Sequence, residues 1–105
     1  MNLVTLYVIC ITLSETVGDI GFKYYAKNNQ FSYFSIGITG YIGVCYFLVK
    51  ALQQSNILMV NGMWDGFSTL FEGCVAFFIL GERLTHIRQY VGYLLLVLGL
   101  FLLQD

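Results

Sequence analysis

The sequence predicts an all-α integral membrane protein, a four-transmembrane-helix bundle. Three observations predict it. Of 105 residues, 58% are hydrophobic and only 10% charged, against roughly 25% charged in an ordinary soluble domain, so water is not the solvent this chain is built for. Near-continuous apolar stretches occupy residues 3–22, 32–52, 57–80 and 85–103, and about 20 helical residues cross about 30 Å of hydrocarbon. The interruptions between the stretches are short and polar, so successive helices are antiparallel neighbours within a single domain spanning 1–105.

The first span, 3–22, has no positive leader and no small-residue cleavage site, and Glu15 breaks its apolar run; it is expected to be mature structure rather than a signal peptide. Asn28, Asn29 and Gln30 form the turn after it. The second span, 32–52, carries Gly37, Gly40 and Gly43 at helical spacing, with Tyr41 among them, and ends in the turn Gln53 to Asn56. The third, 57–80, is apolar except for Asn61, Asp65, Ser68, Thr69 and Glu72, and has its own glycine seam at Gly62, Gly66 and Gly73. Gly81 to Thr85 make the last turn, and the fourth span, 85–103, holds Gly92 and Gly99. Abundant glycine and no proline suit helices that approach closely and do not break.

A formal charge of −1, with five basic residues scattered at helix ends, excludes a nucleic-acid binder. Four of those basic residues fall on the side of the first and third turns and one on the other side, a weak bias that places both termini outside and leaves dual insertion open. Cys10, Cys45 and Cys74 lie inside spans and read as free thiols rather than disulfide partners or a metal site. No cofactor is expected, and the pattern is not that of an enzyme. His86 reads as a solvated loop residue.

Glu15, Asp19, Asp65 and Glu72 carry the functional signal. An ionised carboxylate near the bilayer centre costs roughly 2.5–3.5 kcal/mol, and Lys23 and Lys50 lie near span ends, from which they snorkel outward. The acids must therefore be protonated, face water or await a cation. At about 100° per residue, Glu15 and Asp19 project from one side of the first helix. The same arithmetic gathers Asn61, Asp65, Ser68, Thr69 and Glu72 into a stripe on the third, bordered by Trp64. Two facing polar stripes edged by aromatics make a cation pocket in which a proton and a cation compete.

At these positions the chain resembles the small multidrug resistance family of the drug/metabolite transporter superfamily, over nearly its whole length. Glu15-Thr16-Val17-Gly18 followed by Lys23 resembles the family's first-helix pattern, and Tyr41 falls where the family has a second-helix tyrosine. Met63-Trp64-Asp65-Gly66 resembles the third-helix tryptophan-x-glycine motif. Gly81-Glu82-Arg83-Leu84 is similar to the loop before the fourth helix, and Gly92 through Gly99 to its dimer-forming glycines. The resemblance implies a homodimer, often antiparallel, whose first three helices enclose the site. It further implies that Glu15 binds proton and substrate alternately, that Trp64 and Tyr41 line the pocket, and that Gly92 and Gly99 make the dimer contact.

Asn61 stands where the family usually has a tyrosine, Val44 where guanidinium exporters have a hydroxyl, and Ser68 where a glycine is usual. An acid beside the tryptophan resembles the polyamine-exporting branch, some of whose members pair with a different subunit. The expectation is a proton-coupled antiporter in the plasma membrane, exporting polyamine-like or other organic cations. Glu15, Asp19, Asn61, Tyr41, Trp64 and Asp65 would form its binding site. The competing expectations are a passive cation channel and a non-transporting partner subunit of a heterodimer.

Overall fold

In a computed structural model, which describes residues 2–103, the chain forms four α-helices in sequence: α1 Leu3–Asn28, α2 Phe31–Gln54, α3 Ile57–Cys74 and α4 Ile87–Leu103. A π-helical segment, Val75–Ile79, continues α3. Local chemistry sets the ends. The Asn2 side chain accepts from Thr5 N and the Asn56 side chain from Met59 N, both at 2.8 Å, so each supplies an acceptor to an otherwise orphaned first-turn N–H. Asn29, at φ 57°, turns left-handed and returns its N–H to Tyr25 O at 2.7 Å, which stops α1.

The bounds differ from the apolar stretches, α2 by a residue or two at each end and the others as follows. Hydropathy marks where lipid contact ends, not where the helix ends, so α1 runs on past residue 22 to Asn28. The third stretch, 57–80, is not one α-helix: α geometry stops at Cys74, and Leu80 N reaches back five residues to Val75 O at 3.1 Å. The fourth helix begins at Ile87 rather than 85.

α1 and α2 are long and apolar enough to cross a membrane. Two acids dilute α3, and α4, at 17 residues, is about 25 Å long. Large apolar side chains face outward all around, Leu58 at 84% and Leu102 at 87% exposure among them. Such a surface suits lipid.

α1 packs along α2 through glycines. A Cβ on Gly40 would meet Gly18 N at 2.5 Å, and one on Gly21 would meet Gly37 N at 2.6 Å, so backbone touches backbone where the helices cross. α3 lies against α1, closing a small core of Ile11, Val44, Ala51 and Val60. Among the described residues α4 packs on α3, where Leu100 fills the space over Gly66, and on the π segment, where Tyr90 meets Phe77. Gly92 and Gly99 have nothing within 4 Å of an added Cβ.

Candidate functional site

The contact of α1 with α3 brings the intramembrane acids together. Glu15 sits opposite Trp64 and Ser68: the indole Nε1 donates to Glu15 Oε1 at 3.2 Å, and the Ser68 hydroxyl lies 2.5 Å from the same oxygen. One turn along α1, Asp19 accepts from the Tyr41 hydroxyl of α2. One turn along α3 from Ser68, Glu72 Oε2 lies 3.0 Å from the Ser68 hydroxyl. One carboxylate oxygen from each of Glu15, Asp19 and Glu72 lies within 4.8 Å of the others.

A serine hydroxyl carries one hydrogen. It donates to one of its two carboxyl neighbours and can accept only from the other, so both contacts are hydrogen bonds only when one of the two carboxyls holds a proton.

No basic side chain among the described residues bonds to this trio. The nearest in the chain, Lys23, is engaged instead by Glu82 in an ion pair between the end of α1 and the turn before α4. Lys50 stands one turn before the end of α2, which runs on to Gln54, with its ammonium 5.6 Å from the Tyr46 ring. A cavity of about 150 Å³ runs between the Lys23–Glu82 pair and Asp19 with Glu72, and Thr16 helps to line it. The arrangement offers clustered oxygen acceptors, a fixed indole and a phenol to a cation entering from the end where the ion pair sits. Such a donor set suits an ammonium or a hard metal ion alike.

Glu15, Asp19, Tyr41 and Trp64 meet as the sequence suggests, whereas Asn61 and Asp65 do not join them. Both are exposed and make no side-chain hydrogen bond among the described residues. Asn61 lies one turn before Trp64 along the helix and Asp65 to one side of the Trp64–Ser68–Glu72 line, and both stay uncovered. Glu72 and Ser68, both placed in the polar stripe by the sequence but not among the expected binding residues, take part instead: Ser68, where the family usually has a glycine, bridges Glu15 to Glu72. The spacing Trp64–Ser68–Glu72, four residues at each step, was the signal for this edge: it puts all three on one line of the helix.

A family model described as Small Multidrug Resistance protein matches residues 1–97, which include every residue of the cluster. Comparisons with curated proteins and with solved structures return no match.

Proposed function

The chain belongs to the small multidrug resistance family and is an integral membrane transporter, and from that premise we propose that it is a proton-coupled antiporter exporting organic cations with more than one positive charge, polyamine-like in chemistry, across the plasma membrane. The observation that carries this reading is the carboxyl trio of Glu15, Asp19 and Glu72, three oxygens within 4.8 Å and in no ion pair with a basic side chain among the described residues. Three ionised carboxylates that close, and out of bulk water, repel one another. Protons or a multivalent cation relieve that repulsion, and each excludes the other. If the site opens alternately to the two sides, the exclusion is the coupling. Trp64 and Tyr41 supply aromatic faces and fix the carboxylates they touch.

Reconstitution in liposomes with an imposed pH gradient tests the reading. Adding a linear diamine is expected to dissipate the gradient faster than adding guanidinium or an aromatic quaternary cation. Glu72→Gln keeps the shape but removes one charge, so it is expected to lower diamine flux about tenfold relative to a monoamine of equal length, an effect of order 1 kcal/mol or slightly more per partly screened charge. Ion conductance without a proton gradient would replace the antiporter by a channel. Silence toward every cation from a folded protein would favour a partner subunit.

We also infer a dimer whose contact runs along the open face of α4, where Gly92 and Gly99 meet nothing in the single chain. Small residues there let a second helix approach closely. Gly99→Leu is expected to weaken self-association about tenfold with helix content unchanged, measured by energy transfer between labelled copies in bilayers. Undiminished transfer would move the contact elsewhere.

A further inference from the structure

A second cavity, of about 340 Å³, lies apart from the carboxyl cluster, between the π segment, the turn before α4, and α4 itself. Leu70, Cys74, Phe77, Tyr93 and Val97 give it a mainly apolar lining, with Arg83 among its lining residues. The local fold explains the opening. The π segment widens the backbone after Cys74, and Gly81, at φ 73°, turns the chain back so that Glu82 N bonds to Ala76 O at 2.9 Å. The turn then lies over the segment instead of leading straight into α4.

Arg83 is held in place there. Its guanidinium stacks on the Phe77 ring at 3.7 Å, and Nη1 donates at 2.7 Å to Phe77 O and to Glu82 O. Phe77 is in turn braced edge-on by Tyr90, whose hydroxyl accepts from Leu84 N at 3.0 Å. The Nε and Nη2 hydrogens have no acceptor among the described residues, so three of the five guanidinium donors stay free. The one acid lining the cavity, Glu82, is committed to Lys23. Arg88 opens α4 at the same end of the bundle. The cavity is therefore apolar inside and positive outside, at the level where the helices meet the headgroup region.

We propose that this cavity binds an anionic phospholipid, with an acyl-chain segment against Phe77, Tyr93 and Val97 and the phosphate on the free guanidinium edge of Arg83. The volume accepts part of a chain rather than a whole lipid, and a rigid arginine fork matches phosphate geometry. A cationic substrate is disfavoured by the same arginine. The glycine face of α4 points elsewhere, since among the described residues a Cβ added to Gly92 or Gly99 would meet no neighbouring element within 4 Å and neither glycine lines the cavity.

The test is lipid binding to the purified full chain, followed by native mass spectrometry and by protection of Cys74 from a maleimide, with short-chain phosphatidylglycerol, phosphatidylcholine of the same chains, and inorganic phosphate as probes. Phosphatidylglycerol is expected to bind about fivefold more tightly than phosphatidylcholine, the preference one basic residue supplies near a membrane surface. Arg83→Gln is expected to erase the preference, and Val97→Phe to fill the cavity and remove lipid protection of Cys74. Val97→Phe leaves the turn untouched, so it decides the matter should Arg83→Gln fail to fold. Equal binding of the two lipids, protection by inorganic phosphate alone, or a changed oligomer mass in Val97→Phe with lipid binding intact would overturn the proposal, the last by pointing to a second copy as the occupant.

Discussion

Glu15→Gln is expected to abolish gradient-driven cation flux, reducing it at least about a hundredfold, to the level of empty liposomes. Glutamine keeps the length of the side chain and an oxygen that still accepts from Trp64 Nε1 and the Ser68 hydroxyl, so the contact between α1 and α3 survives. What disappears is the ability to exchange a proton for a cation at the centre of the trio. Charge-assisted contacts of this kind contribute about 1.5–3 kcal/mol each, and roughly 2.7 kcal/mol is a hundredfold in rate. The measurement is quenching of a pH-sensitive dye inside the liposomes after diamine addition, with helix content checked by circular dichroism. Flux within tenfold of the parent from a folded Glu15→Gln protein would show that Asp19 and Glu72 suffice, and would remove Glu15 from the coupling role.

The second large effect is on stability. Gly40→Ala is expected to cost about 3 kcal/mol, the upper part of the overpacking range, whereas Gly62→Ala should cost under about 1 kcal/mol. Both substitutions add one carbon, and both would come too close to something. On Gly40 the new atom meets the backbone of Gly18, at 2.5 and 2.6 Å, which yields only if α1 and α2 move apart. On Gly62 it meets the far end of the Leu103 side chain, at 2.8 Å, which can rotate away. Separating α1 from α2 would also pull Tyr41 off Asp19, so Gly40→Ala should impair transport as well. Loss of helicity during titration with a denaturing detergent gives both values, and equal costs would mean the α1–α2 crossing is looser than its glycines indicate.

The membrane class, the helix order and the family were legible because each rests on a signal repeated along the chain: apolar runs of span length, short polar turns, and motif residues at fixed separations. The site was legible in part. Glu15 and Asp19 stand one turn apart in an otherwise apolar segment, and Trp64 marks the facing helix, so their meeting could be expected from periodicity. Periodicity gives a face but not how much of it a neighbour covers. Asn61, Asp65 and Glu72 share one stripe of α3, yet only Glu72 reaches the cluster; the close glycine contacts join α1 to α2 and α3 to α4, so no sequence pattern marks where α1 meets the stripe. Ser68 was hidden for another reason: set against the family pattern it registers as a missing glycine, while its chemistry, one hydrogen between two carboxyls, shows only when both partners are in place. The Lys23–Glu82 pair joins residues 59 apart in sequence and leaves no local trace. Nor does the π segment, since Val75-Ala76-Phe77-Phe78-Ile79 reads as plain apolar helix.

That segment divides the third helix into two registers. Up to Cys74 the helix keeps Trp64, Ser68 and Glu72 in line against α1. Past it, the wider turn breaks the line, and Phe77 faces Tyr90 of α4 instead. With the phase broken, the two ends of a single helix answer to different surroundings, one to the carboxyl cluster on α1 and the other to the turn and α4.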